Sequence, residues 1–109
     1  MDTLVQGLHE CERGARYVEV HDRGDVTRVL GIRESRSGLH EGFIFAAAGA
    51  TYTVEDNADI TGVIPLRRGE ALELQGQLEC NDDVIHWTHR DPAGRHIAGY
   101  IIADGRTYQ

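Results

Sequence analysis

Apolar and polar residues alternate along most of the chain, which is the pattern of strands that bury one face. Six or seven short runs of this kind are separated by turns rich in Gly, Asp and Asn. Only residues 4–13 show helical spacing, with Asp2 or Thr3 as the N-cap. Because so many short strands would leave unpaired edges in an open sheet, the pattern predicts closure into a barrel.

We therefore expect an all-β fold with one short N-terminal helix, in the form of a small closed antiparallel barrel. The oligonucleotide/oligosaccharide-binding (OB) barrel is the architecture of this kind that we favour. At 109 residues the chain is predicted to be a single domain, with the helix in residues 1–14 and the barrel in residues 15–109. Gly76 is expected to bend a long strand around a corner.

Local signals divide the predicted barrel into its strands. Residues 15–22 and 26–33 are predicted strands joined by a turn at Arg23-Gly24-Asp25. Two further strands flank Gly49, and residues 56–64 are expected to be irregular or to form a single helical turn.

The stretch from Val84 to Ile102 holds the only Trp and three of the six His residues. Its centre, Asp91-Pro92-Ala93-Gly94, is a strong turn signal, and its β-branched and aromatic flanks predict a β-hairpin. A three-residue bulged loop would place Asp91 opposite Arg95. We favour it over a four-residue loop that sets Arg90 against Arg95, a like-charge pair. In the favoured register four residues point into the core: Ile85, Trp87, Ile97 and Ile101.

The net charge of −7, from 18 acidic and 11 basic residues, argues against a sequence-independent nucleic-acid binder, which needs a basic surface. A local basic face would reverse this expectation if it gathered Arg67, Arg68, Arg90 and Arg95. No apolar run approaches the roughly 20 residues that span a bilayer, and no N-terminal signal segment is evident. We therefore expect no membrane partner and a cytoplasmic protein, in which Cys11 and Cys80 are two ordinary thiols.

Four side chains of the predicted hairpin are of the types that bind a divalent transition metal such as zinc. They are His86, His89, Asp91 and His96. On a straight strand His86 and His89 point to opposite faces, so a shared ion would require a bulge. His40 could complete the set from a preceding loop. The alternative is that these histidines are only solvated or hydrogen-bonded.

The same stretch could instead form an acid–base site without a metal. His86, His96 and Tyr100 share a face in the favoured register and are the candidate catalytic residues, because His can move a proton near neutral pH. The candidate ligand-binding residues are His40, Trp87, Arg90 and Arg95. The alternative places Trp87 and Tyr100 in the barrel wall as packing residues.

The segment from Ile85 to Gly99, with the pattern IHWTH-x-DPAGRH-x-x-G, resembles a family of small bacterial proteins recorded as domain of unknown function 3465. Weaker matches are SGLHEGFI at residues 37–44 and DNADI at residues 56–60. The family pattern has a further His where this chain has Arg90, and another where it has Asp56. The resemblance implies a β-barrel and no established activity.

A fainter similarity is to staphylococcal-type nuclease barrels, in which a D-x-x-GR turn leads into a strand that ends in a DGK-like turn. Residues 91–95 and 104–106 stand in that arrangement. The calcium-binding acids that such nucleases carry on earlier strands have no counterpart that we can locate.

Three functions are compatible with these patterns. The first is a metal-binding or acid–base site that acts on a small anionic substrate. The second is an OB-like binding module for an oligonucleotide or small ligand, and the third is a protein-interaction domain without chemistry. The acidic net charge favours a small molecule over a nucleic acid as the partner.

Overall fold

The computed structural model describes residues 2–109, most of which lie in β-strands. Within these residues the elements, in chain order, are α1 (Leu4–Glu12), β1 (Tyr17–Ser35), β2 (Gly38–Ala47), β3 (Ala50–Asn57), α2 (Ala58–Thr61), β4 (Ala71–Glu79), β5 (Val84–His86), β6 (Tyr100–Ala103) and β7 (Arg106–Tyr108). The strands predicted on either side of Gly49 and the helical turn predicted within residues 56–64 are both present.

Five strands form a ring in the order β1-β2-β3-β5-β4, and the ring closes because β1 also pairs with β4. The pairs are antiparallel except β3–β5, which is parallel. β6 and β7 extend the sheet from β4. The prediction of a small, mainly antiparallel closed barrel with one short N-terminal helix is confirmed.

Alternate residues of the ring strands point inward and form the core. On β2 the inward positions hold Phe43, Phe45 and Ala47, and β3 contributes Tyr52 and Val54. The rings of Phe43 and Phe45 meet edge to face, with their centroids 6.5 Å apart. The other large buried side chains are Leu4, Val20, Val26, Ile64, Leu72, Leu74, Leu78, Ile85 and Ile101.

β1 is a single strand of 19 residues, so the turn predicted at Arg23-Gly24-Asp25 is wrong. The strand changes partner at this point instead, since residues 17–25 pair with β4 and residues 25–35 pair with β2. Gly24 permits the crossing, because a Cβ there would overlap the carbonyl oxygen of Ala46. The polar residues signalled a turn, but the close approach of a second strand explains the glycine.

The N-terminal helix forms where helical spacing predicted it. Thr3 is the N-cap, since its hydroxyl accepts a hydrogen bond from the Gln6 N–H at 3.3 Å and its own N–H donates to the Gln6 side chain at 2.9 Å. Leu4 lies in the core, and Gly7 packs so closely on Val20 that a Cβ would come within 2.6 Å of its side chain. Neither α1 nor α2, the helices of the described chain, is long and apolar enough to cross a membrane.

Cys11 and Cys80 form a disulfide bond, with their Cα atoms 5.4 Å apart, so the prediction of two ordinary thiols is wrong. The two residues are 69 positions apart in sequence, and their spacing alone gave no sign of contact. The fold brings them together because the segment after α1 runs beside the end of β4. There the Cys80 N–H donates to the Arg16 carbonyl at 2.9 Å, and Tyr17 pairs with Glu79.

The hairpin predicted over residues 84–102 has the expected turn but different strand pairing. The turn is present, since the Gly94 N–H donates to the Asp91 carbonyl at 2.9 Å and Gly94 has φ 68°. The flanks do not form a pair of strands, because β5 and β6 lie one after the other along the same edge of β4. One backbone hydrogen bond still joins the flanks, from the Gly99 N–H to the His89 carbonyl at 2.9 Å. Residues 87–99 connect β5 to β6 without regular structure, and we call this segment the 87–99 loop.

Two of the four predicted core residues of this stretch are buried. Ile85 and Ile101 are fully enclosed, as predicted. Trp87 is only half-buried and Ile97 is 54% exposed, so their predicted burial is wrong. Both lie in the 87–99 loop, where the alternation of a strand no longer determines which way a side chain points.

Candidate functional site

Three histidines line one cleft of the barrel, which has a volume of about 390 Å³. His40 lies on β2, His86 is the last residue of β5, and His89 lies in the 87–99 loop. His40 therefore comes from a strand and not from the loop that the sequence suggested. The remaining lining residues are Ser37, Glu55, Asn57, Ile60, Glu79, Trp87, Asp91 and Pro92.

His86 faces the cleft because its neighbour Ile85 fills the core on the opposite face of β5. Its Nε2 lies 3.4 Å from Oε2 of Glu79 on β4, and its Nδ1 lies 3.9 Å from Oε2 of Glu55 on β3. Glu55 is also paired with Arg33 at 3.0 Å. This side of the cleft therefore presents two carboxylates around one imidazole.

His89 is nearly buried, with 7% of its surface exposed. Its Nδ1 lies 2.6 Å from the carbonyl oxygen of Arg90. Because a carbonyl oxygen can only accept, Nδ1 carries the hydrogen, and the lone pair of the neutral ring is on Nε2. The backbone thus determines which nitrogen of His89 can take up a proton.

Asp56 occupies an inward position on β3 and is completely buried. Its Oδ1 accepts a hydrogen bond from the Thr88 hydroxyl at 2.7 Å, and its Oδ2 accepts one from the Thr61 hydroxyl. Burial raises the pKa of Asp56, whereas the two hydrogen bonds and the positive charges of His89 and His40 lower it. A buried carboxyl group therefore lies within electrostatic reach of two histidines of the cleft.

Glu41 is a second buried carboxyl group, directly opposite Asp56 in the β2–β3 register. Its Oε1 accepts a hydrogen bond from the Ile64 N–H at 2.7 Å. Burial raises the pKa of Glu41, the bond from Ile64 lowers it, and the charge of Asp56 raises it further. The pair therefore holds a proton more readily than isolated carboxyl groups in water.

Sequence reasoning did not select Asp56, Glu41 or Thr88 as site residues. A signal was available in the alternation of two strands, because Glu41 stands two residues before the inward Phe43, and Asp56 stands two residues after the inward Val54. A polar side chain at an inward position is unfavourable unless hydrogen bonds satisfy it. Such a position therefore marks a buried polar network.

The predicted catalytic residues His86, His96 and Tyr100 do not all line the cleft. Tyr100 begins β6 and is not among the residues that line the cleft. His96 stacks on the indole of Trp87, and its Nε2 lies 3.3 Å from Oε1 of Glu19 on β1. His86 alone of the three lines the cleft.

Three of the four predicted metal ligands line the cleft, namely His86, His89 and Asp91. The Asp91 carboxylate is engaged in its own turn, since it accepts the N–H groups of Ala93 and Arg95, both at 2.9 Å, and of His96 at 3.0 Å. These hydrogen bonds lower the pKa of Asp91, and the bond from the Ala93 N–H has the largest effect. Among residues 2–109, no group of three or more His, Cys, Asp or Glu side chains is arranged to hold a metal ion.

The predicted ligand-binding residues are also divided. His40 and Trp87 line the cleft. Arg90 donates to the carbonyl oxygen of Gln109 at 2.8 Å, and Arg95 is exposed in the turn. Neither of these two arginines is a lining residue, so the cleft lacks the cationic lining that the sequence suggested.

The sequence profile of a family described as "Protein of unknown function (DUF3465)" matches residues 1–109. The chain belongs to this family. The resemblance predicted from the segment Ile85 to Gly99 is thereby confirmed over the whole chain. Searches of curated proteins and of solved structures give no significant match. The similarity to staphylococcal-type nucleases therefore stays a prediction.

Proposed function

We propose that the barrel binds a small molecule in the cleft lined by His40, His86 and His89, and that His89 acts there as a general acid–base group. The observation that carries this proposal is the arrangement of His89, whose Nδ1–H is held by the Arg90 carbonyl while Asp56 lies within electrostatic reach. Such an imidazole can accept a proton on Nε2 and return it to a bound molecule.

The charge of the cleft favours a cationic or neutral ligand over the anionic substrate expected from the sequence. Glu55, Glu79 and Asp91 line it, whereas Arg90 and Arg95 do not. Arg33 offsets part of this charge through its pair with Glu55, but carboxylates still outnumber arginines along the walls, which disfavours an anion. A nucleic acid is disfavoured for the same reason and by the net charge of −7.

A non-catalytic binding module is a second candidate. The ring order β1-β2-β3-β5-β4, with α2 between β3 and β4, supports the OB type of barrel. OB barrels bind oligonucleotides and oligosaccharides on the face formed by strands 2 and 3. His40 on β2 and Glu55 and Asn57 on β3 belong to the same cleft. The charge argument makes a neutral saccharide a better fit to this cleft than a nucleic acid.

A divalent transition metal such as zinc is the remaining candidate ligand. It is favoured by the presence of three imidazoles in one cleft and by the bond from the His89 Nδ1–H to a backbone carbonyl. Histidine ligands of metals characteristically donate their second ring N–H in this way. Side-chain movement would be needed to bring the three rings to one ion.

The disulfide favours an oxidising compartment over the cytoplasm that we expected from the sequence. Disulfides between Cys residues persist in secreted and other extracytoplasmic proteins and are rare where thiol reductants are abundant. Cys11 and Cys80 are joined within one chain and link α1 to the end of β4. We therefore propose that the protein works where this bond stays oxidised.

Thermal denaturation in the presence of defined probes tests these proposals. The probes are primary amines, guanidines, neutral sugars, carboxylates, sugar phosphates and zinc chloride with and without chelator. A ligand that binds only the folded protein raises the melting temperature. We expect an amine, a guanidine or a sugar to raise it, and His89→Gln to abolish the increase.

The matched control is His21→Gln, because His21 lies on β1 and does not line the cleft. This variant should respond to the probes as the wild type does. A zinc-dependent increase that chelator reverses and His89→Gln removes would select the metal candidate instead. Stabilisation by anions alone, or the same response in both variants, would contradict a cleft ligand of the proposed charge.

A further inference from the structure

Trp87 has an unusual backbone conformation directly beside the cleft. Its φ is 58°, in the left-handed region that bulky residues rarely adopt. The residue follows His86, the last residue of β5, and this conformation turns the chain away from the strand direction. Such a conformation persists only where the surrounding structure holds it, and it is concentrated at functional sites.

The indole of Trp87 lies between two histidines. The ring of His96 stacks on it almost in parallel, with centroids 4.1 Å apart and an interplanar angle of 9°. The ring of His89 packs against it at 5.3 Å with a tilt of 38°. The indole thus connects His96, which lies outside the cleft, with His89, the proposed acid–base group.

His96 is held firmly from several elements. Its Nδ1 lies 2.9 Å from the Ile97 carbonyl oxygen, to which it must donate, and its own N–H donates to Asp91 at 3.0 Å. Its Nε2 lies 3.2 Å from the Gln77 amide nitrogen on β4 and 3.3 Å from Glu19 on β1. The imidazole of His96 is therefore fixed in place, and the indole of Trp87 stacks on it.

Two contacts of different kinds hold the ring of His89. The Arg90 carbonyl holds the ring at one edge, through Nδ1. The indole of Trp87 supports the ring from the side. Removal of the indole would take away this lateral support, so that the ring could rotate about its hydrogen bond to the Arg90 carbonyl or exchange that bond for one to water.

We propose that Trp87 is a positioning residue, clamped by His96, that fixes the direction in which His89 presents Nε2 to the cleft. This inference rests on the proposed role of His89 for its functional meaning. It accounts for the strained conformation of Trp87 and for its partial exposure, neither of which a packing role in the core would require.

The imidazole nitrogens of His89, observed by two-bond ¹H–¹⁵N correlation NMR, test the inference without any ligand. At a pH where the ring is neutral, we expect the wild type to give the signal of one tautomer, with the hydrogen on Nδ1. Trp87→Gly tolerates the positive φ but lacks the ring, and we expect it to give averaged nitrogen shifts of two exchanging tautomers. Trp87→Phe retains an aromatic face and should restore much of the wild-type signal.

The controls separate this effect from unfolding. His21 should keep its nitrogen shifts in each variant, and the methyl signals of the buried Ile85 and Ile101 should not move. His96→Ala should give averaged nitrogen shifts for His89, as Trp87→Gly does, because it removes the imidazole on which the indole stacks. An unchanged single tautomer of His89 in Trp87→Gly, with the core signals intact, would overturn the inference. That result would not bear on the proposed acid–base role, because the experiment measures the orientation of His89 and not the binding of a ligand.

Discussion

Asp56 and Glu41 occupy inward positions on adjacent strands, where the alternation of the sequence otherwise places apolar side chains. Both are buried, and both have their charged form partly compensated by hydrogen bonds. Buried carboxyl groups with raised pKa values occur preferentially at functional sites, although structural networks also produce them. Asp56 lies within electrostatic reach of His40 and His89, and Glu41 lies opposite Asp56, which is the reason for regarding both as part of the site.

Asp56→Asn should change the dependence of stability on pH. Burial raises the pKa of Asp56 above its ordinary 3.8, so the folded protein binds this proton more tightly than the unfolded chain. The stabilisation from this group is therefore fully present below about pH 4 and is lost as the pH rises through the folded-state pKa. Asparagine has no charge to bury. Urea denaturation from about pH 4 to 7 should thus show a smaller loss of stability in the variant.

The asparagine can keep the local hydrogen bonds. Its Oδ1 can accept from Thr88, and the Thr61 hydroxyl can donate to the Gly62 carbonyl, 2.9 Å away. Asp104→Asn, which removes one carboxylate from an exposed turn, is the control for the loss of a negative charge. Parallel pH profiles for wild type and Asp56→Asn would contradict the effect of burial on this carboxyl group.

Gly76→Ala should destabilise the barrel in the middle of β4, between the positions that pair with β6 and with β5. A Cβ at this position would lie 2.6 Å from the His86 carbonyl oxygen and 2.9 Å from the Ile85 side chain. Relief of this overlap requires a backbone shift, with an expected cost of about 1–3 kcal/mol in the free energy of unfolding. Gly42→Ala is the matched control, since its Cβ would lie 3.5 Å from Leu30. Equal stability of the two variants in urea would show that no close approach exists at Gly76.

At the scale of elements, local signals predicted turns and helix ends better than they predicted strand partners. The turn at residues 91–94 forms because Asp91 accepts backbone N–H groups and Gly94 adopts a positive φ. These are properties of neighbouring residues. β5 and β6 both pair with β4, which precedes them in the chain, and nothing within residues 84–102 encodes that choice. The turn predicted at Arg23-Gly24-Asp25 was wrong because glycine is favoured both in turns and where two strands cross closely.

The disulfide between α1 and the end of β4 should contribute substantially to stability. It closes a loop between residues 69 positions apart, for which the loss of unfolded-state entropy corresponds to about 4 kcal/mol. Urea denaturation with and without dithiothreitol should show a large decrease in stability on reduction. The double variant Cys11→Ser with Cys80→Ser is the control, since its stability should be low and independent of dithiothreitol. An equal effect of the reductant on wild type and control would contradict the bond.

At the scale of the whole molecule, barrel closure could be predicted from the number of short strands, but the cleft could not. Its walls come from β2, β3, β4, β5, α2, the turn before β2 and the 87–99 loop. Sequence spacing identified His86 and His89 as candidates because they lie in one distinctive stretch. It also suggested His40, but from a loop and not from β2, and it could not show that His96 and Tyr100 lie outside the cleft, since these outcomes depend on strand order and on the path of the loop.

The central claim is that the cleft around His89 is the ligand site of the barrel. The most direct test is chemical-shift mapping in ¹H–¹⁵N amide spectra, with the probe that gives the largest increase in melting temperature. We predict shift changes at residues 38–42, 53–57 and 84–91, and their loss in His89→Gln. Another cleft, of about 460 Å³, is lined by residues that include Pro65, Arg67, Asp104 and Tyr108. Changes confined to that cleft, and unaffected by His89→Gln, would contradict the claim.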